Sequence, residues 1–144
     1  MEEMSFYSAL VLAGVVCLAA FGAEPIPFKV LAQGGQSGVD ERREVVARTA
    51  QEFKALALPA PSEGPAPKID FATTMVVGIY MGMRPSGGHS VEITRIERDG
   101  ADLVVTYRER APGRDEMATQ VMTSPFQLVT TATFPGPVRF TRAK

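Results

Sequence analysis

The hydropathy of the chain changes rhythm across ten residues, and that change limits it to a sheet-based fold. Residues 75–81 read Met-Val-Val-Gly-Ile-Tyr-Met, apolar on both alternating faces, whereas Val91, Ile93 and Ile96 are separated by Glu92, Thr94, Arg95 and Glu97. The first pattern is that of a strand covered on both sides, and the second is that of a strand with one wet face. Between them runs Gly82-Met83-Arg84-Pro85-Ser86-Gly87-Gly88-His89. Pro85 fixes its own φ at about −65° and neighbouring glycines admit positive φ. The segment is therefore predicted to be a tight diglycine turn with an exposed main chain, joining two paired strands.

The remaining chain fills in around this junction. Residues 28–32 (Phe-Lys-Val-Leu-Ala) predict a short strand, 33–38 a glycine-containing loop, and 44–48 a second short strand. Thr49-Ala50-Gln51-Glu52 matches a capping box, with the threonine hydroxyl accepting from the amide three residues on and the glutamate reaching back to the cap amide. A helix is predicted to follow, with Phe53, Leu56 and Ala57 on the side that packs on a sheet. Prolines cluster between Pro59 and Pro67, which marks a stiff surface connector inside one domain. Gly78, within the double-faced run, predicts close approach of a neighbouring side chain from the helix.

Downstream, the slip in apolar phase between Ile93 and Ile96 predicts a bulge near Arg95. Arg98-Asp99-Gly100 predicts a hairpin with a two-residue Asp-Gly turn, and residues 103–108 return antiparallel. After a loop at 111–115, residues 119–131 alternate loosely around Pro125, which suits an edge or a bulge, and 138–140 form a last short strand. The predicted fold is α+β: a mainly antiparallel β-sheet, sandwich-like or curved, with one short helix packed against it.

Composition limits function. The chain has 144 residues, with 15 basic and 16 acidic side chains and no block of like charge. It is sized for one domain and has no global field to draw in nucleic acid or an anionic membrane. Its one cysteine, Cys17, lies in the apolar stretch from Ala9 to Ala23, which ends at Glu24-Pro25. That stretch reads as a signal peptide over residues 1–22, with Ala20 and Gly22 at the cleavage positions, followed by a single domain at 23–144. Glu2 and Glu3 are atypical for the front of a signal, and from Phe6 the run is long enough, at about 18 residues, to act as an uncleaved membrane anchor. Val16 before Cys17 is a poor match for a lipoprotein site. The expected location is exported, periplasmic or extracellular.

Reactive groups are sparse. His89 is the single histidine, beside Ser86 and Ser90, and no cysteine follows residue 17, so Cys-His or Ser-His-carboxylate catalysis has little to work with. Asp99, Asp102, Glu109, Asp115 and Glu116 lack the spacing of a calcium loop and are interspersed with arginines, as on a solvated face. Gly87-Gly88 could form an anion nest, but phosphate loops place such glycines before a helix, and here a strand follows. No enzymatic activity, metal, cofactor or small-molecule substrate is expected.

Three segments carry a family resemblance: 76–82 (Val-Val-Gly-Ile-Tyr-Met-Gly), 84–93 (Arg-Pro-Ser-Gly-Gly-His-Ser-Val-Glu-Ile) and 103–107 (Leu-Val-Val-Thr-Tyr). Together they resemble the PrcB C-terminal domain family, named for a subunit of a secreted protease complex. The resemblance is centred on 75–129 and includes Thr123-Ser124-Pro125-Phe126. Residues 37–39 and 68–71 resemble the leader regions of such proteins. The family loop usually reads Pro-Thr-Gly-Gly-Tyr, and here Ser86 and His89 stand at the threonine and aromatic positions. The resemblance implies a non-enzymatic, exported domain that stabilises a protease or other envelope assembly through protein contact. Arg84, Pro85, Ser86, Gly87, Gly88 and His89 are the candidate partner-binding rim, with Phe126 either their neighbour or part of the core. The alternatives are a loop-presenting protease inhibitor, by loose analogy with chagasin-type inhibitors, and a structural envelope domain without a dedicated partner.

Overall fold

The doubly apolar run becomes β4 (Thr74–Tyr80), an inner strand whose two faces feed two separate cores. A computed structural model describes residues 23–56 and 68–144. The expected signal segment, Ala57 and the proline connector lie outside the described residues. Met75, Val77, Ile79 and Met81 pack between the two sheets with Ile93, Ile96, Leu103, Val105 and Tyr107. Val76 and Tyr80 point the other way, into a second cluster with Val45, Ala47, Phe126 and Leu128. Partly buried Phe53, Leu56 and Phe71 cover that outer face. Full burial of one such side chain stabilises by about 1.5–3 kcal/mol, so a strand buried on both faces anchors both clusters.

One sheet takes the order β2-β7-β4-β3, from β2 (Phe28–Gly34), β3 (Arg43–Ala47) and β7 (Phe126–Ala132) around β4. The other takes the order β1-β5-β6-β8, from β1 (Glu24–Pro25), β5 (Ser90–Asp99), β6 (Asp102–Arg110) and β8 (Val138–Arg142). Neighbours run antiparallel except β6 and β8, which are parallel. The expected α+β class with a mainly antiparallel sandwich and one short helix holds. Among the described residues no helix is long and apolar enough to cross a membrane.

The helix α1 (Ala50–Lys54) begins where Thr49 predicts, with the Glu52 N–H donating to Thr49 Oγ1 at 3.1 Å. The Glu52 carboxylate accepts from the Arg48 N–H at 2.9 Å rather than from the cap residue, so the reciprocal half of the box is displaced by one residue. The predicted bulge is present, with a register shift between Ile93 and Arg95. The β5–β6 hairpin pairs Asp99 with Asp102, so its two-residue loop is Gly100-Ala101 and not Asp99-Gly100. Gly100 alone takes positive φ, at 61°, which is the requirement of a type II′ turn.

Three further expectations are corrected. β4 and β5 belong to different sheets, so residues 81–89 cross between layers and do not close a hairpin. The neighbour that crowds Gly78 is Leu128 of β7 and not the helix. Pro125 is buried at the entrance to an inner strand, where its carbonyl accepts from the Met81 N–H at 2.8 Å, and so lies on no sheet edge.

A buried polar contact ties the layers together beside the bulge. β1 reaches only Glu97 and Arg98 of β5, and the Ile93 N–H donates to Gln127 Oε1 of β7 at 2.6 Å. Gln127 Nε2 in turn donates to Gln33 Oε1 of β2 at 3.0 Å. Gln127 is 3% exposed, and its amide satisfies a strand-edge donor that no neighbouring strand covers.

Candidate functional site

The crossing at 81–89 is held by the segment that leads into β7. Arg84 and Thr123 form an antiparallel bridge, with Arg84 N–H to Thr123 O at 2.6 Å and Thr123 N–H to Arg84 O at 2.9 Å. The Gly87 N–H donates to Thr119 O at 2.9 Å, and Thr123 Oγ1 donates to Ser86 O at 2.8 Å. At the loop's start the Met83 N–H donates to Asp40 O at 2.9 Å. The expected exposed main chain is thus corrected in part: the Arg84 N–H and carbonyl, the Gly87 N–H and the Ser86 carbonyl are bonded to residues 119–123, while Pro85 and Gly88 stay exposed.

Of the diglycine pair only Gly88 takes positive φ, at 82°. At Gly87 a Cβ would meet Thr119 Oγ1 at 2.4 Å, so a side chain there would require the exposed Thr119 hydroxyl to rotate away. Gly82, which the sequence did not single out, also has φ 82° and lies against the backbone of residues 40–42. Gly88→Val is expected to cost about 1–2 kcal/mol, since a left-handed residue must then carry a branched side chain. Ser86→Ala should change stability by less than about 0.5 kcal/mol. Thermal unfolding of the two variants side by side checks the contrast, and equal effects would contradict it.

The six predicted rim residues are contiguous but differently placed. Pro85 and Gly88 are exposed, while Arg84, Ser86, Gly87 and His89 are half-buried. Ser86 Oγ donates to the Gly87 carbonyl at 3.1 Å. Arg84 donates from Nη2 to Met81 O at 3.3 Å. Arg84 Nε and His89 Nδ1 are buried and have no hydrogen-bond partner among the described residues. Phe126 is a core residue at 3% exposure, stacked on Tyr80 with ring centroids 5.8 Å apart. Its ring still lines a shallow groove with Gln33, Gly34, His89, Ser90 and Val91. No group of three His, Cys, Asp or Glu side chains among the described residues is placed to hold a metal.

What the sequence reading missed is apolar. Met83 is 37% exposed, Val121 and Met122 are each 59% exposed, and Met117 is fully exposed. All lie on the crossing or on the segment bonded to it, and the Arg84–Thr123 register sets Met122 opposite Pro85. The loose alternation expected over residues 119–131, broken at Pro125, would turn one of Val121 and Met122 inward. The strand begins only at Phe126.

Residues 75–132 match the family model described as PrcB C-terminal. This segment is a PrcB C-terminal domain. Its limits run from β4 to the end of β7, three residues beyond the expected 75–129, and enclose both the glycine crossing and the methionine-bearing segment. β1, β2, β3, α1 and β8 lie outside the matched PrcB C-terminal segment, although β2 and β3 complete the sheet that contains β4 and β7. No curated protein matches the chain, and no solved structure does.

Proposed function

We propose that this chain is an exported, non-enzymatic protein-binding module, acting as an accessory subunit of a protease complex and attaching through the crossing at 81–89. The observation that carries this reading is the concentration of exposed large apolar side chains on one structure, with Met83 on the crossing and Met117, Val121 and Met122 on the segment bonded to it. Exposed apolar clusters of this kind mark contact surfaces, and methionine adapts to irregular partners. The backbone bonds to residues 119–123 hold the rim in one shape, which lowers the ordering cost of association. The PrcB C-terminal match supports a protease-related setting. Arg84, Pro85, Ser86, Gly87, Gly88 and His89 form the polar part of the same rim.

Affinity capture from envelope extract tests the reading. Wild-type protein should retain a protease whose activity is unchanged, and Met83→Ser/Met122→Ser should lose it while unfolding at the wild-type temperature. Inhibition of that protease by the pure domain would favour the inhibitor reading. Capture that ignores the double substitution would sink the proposed surface.

A further inference from the structure

His89 also lines a second, open cleft of about 410 Å³, distinct in its other lining residues from the Phe126 groove. Five of the residues lining it are cationic, Arg42, Arg84, Arg110, Arg142 and Lys144, and Glu109 is the one acid among them. The chain as a whole carries a formal net charge of −1, so this concentration arises from folding and not from composition. Glu109 organises the cleft. Its side chain is 11% exposed and pairs with Arg42 on one oxygen and with Arg142 on the other, the latter at 3.3 Å. Arg42 Nη1 also donates to the Tyr107 hydroxyl at 3.1 Å. Its pKa is raised, chiefly by the Glu109 hydrogen bond, with burial opposing. One recessed carboxylate thus sets two guanidinium groups in place while leaving Arg142 60% exposed.

Elsewhere on this sheet Arg98 lies over the Phe134 ring, 5.7 Å from its centroid, and three other arginines are matched by acids. Arg95 pairs with Glu97, Arg108 with Glu92, and Arg139 with both Asp99 and Asp102. The positive field is therefore local, unlike the extended stripe that tracks a nucleic-acid backbone. Within the cleft Arg110 is tied to Glu116 at 2.9 Å but remains 68% exposed. Guanidinium forks bind carboxylates in pairs of parallel hydrogen bonds, and a recess strengthens such bonds relative to an open surface.

We infer that this cleft is a recognition site for side-chain carboxylates of an acidic polypeptide segment carried by the binding partner. The assignment rests on the binding reading above and adds a charge requirement to it, since Arg84 and His89 belong to both the cleft and the rim. Contact at the methionines supplies burial, and the cleft selects partners by charge and speeds their arrival.

Fluorescence anisotropy with a labelled hexaglutamate peptide tests it, with hexalysine and a hexathymidylate oligonucleotide as comparators. Hexaglutamate should bind saturably, and more weakly as salt rises from about 50 to about 300 mM. Arg110→Gln/Arg142→Gln should weaken that binding by roughly tenfold, a 1.4 kcal/mol change. Arg95→Gln/Arg108→Gln removes the same charge outside the cleft and should weaken it by less than about twofold. Lys144→Gln is a second cleft variant, to be used if the arginine pair lowers the unfolding temperature. Equal losses from the cleft and outside variants, no binding of hexaglutamate, or equally tight binding of the oligonucleotide would each overturn the assignment. Partner capture separates the two levels: loss with Met83→Ser/Met122→Ser but retention with Arg110→Gln/Arg142→Gln rejects the acidic segment and leaves the binding module standing.

Discussion

Gly78→Val is expected to destabilise the domain by about 3 kcal/mol, read as a lower urea midpoint with an unchanged slope. Gly78 sits in register between Val45 of β3 and Leu128 of β7, on the outer face of β4. A Cβ at this position would lie 2.1 Å from Leu128 Cδ2, 2.9 Å from the Gln127 carbonyl oxygen and 3.3 Å from Leu128 Cα. The leucine methyl can swing away, whereas the carbonyl and Cα belong to the backbone of an inner strand and cannot move without disturbing the ladder. Trimming the flexible neighbour should therefore give only partial relief. In a Gly78→Ala background, Leu128→Ala should cost at least about 1 kcal/mol less than it does alone. An unchanged midpoint for Gly78→Val would show that the sheet yields more easily than its packing indicates.

The second large effect is expected at Gln127. Gln127→Leu keeps the side-chain volume but removes the acceptor of the Ile93 N–H and the donor to Gln33. Leaving a buried donor unsatisfied costs about 1–3 kcal/mol, and this contact also joins the two sheets, so a loss of about 2–3 kcal/mol is expected. Gln33→Ala breaks only the part-buried end of the relay and should cost less than about 1 kcal/mol. Amide hydrogen exchange gives a local readout, because protection of the Ile93 amide should fall in Gln127→Leu and persist in Gln33→Ala. Intact protection in both would mean that the amide is shielded by burial alone.

These contacts show which parts of the fold were legible in the sequence. Side-chain rhythm revealed that β4 is covered on both faces, that β5 is bulged near Arg95 and that Thr49 starts a helix, because each is decided by neighbours within a few residues. Pairing of β4 with β5 was wrongly expected because a glycine turn looks the same whether it closes a hairpin or carries the chain to a second layer. Which of these occurs depends on β7, whose residues arrive more than forty positions later. Residues 81–89 were legible as a glycine-bearing loop, but their backbone partners at 119–123 were not, since the loose alternation of 119–131 around Pro125 gives no sign of which segment the loop meets. The arginine cleft was invisible for the same reason: Arg42, Arg84, Arg110 and Arg142 are far apart along the chain and meet only through the tertiary fold.

The parallel pairing of β8 on β6 bears on how the protein is made. β8 comes after the other described strands in chain order and is the outer neighbour of β6, so one margin of that sheet stays bare until residues 138–142 have docked. An uncovered margin offers amides and carbonyls to any strand within reach, including that of another nascent copy. Errors in assembling this protein should therefore begin at the β6 margin, where a stranger can occupy the place reserved for β8.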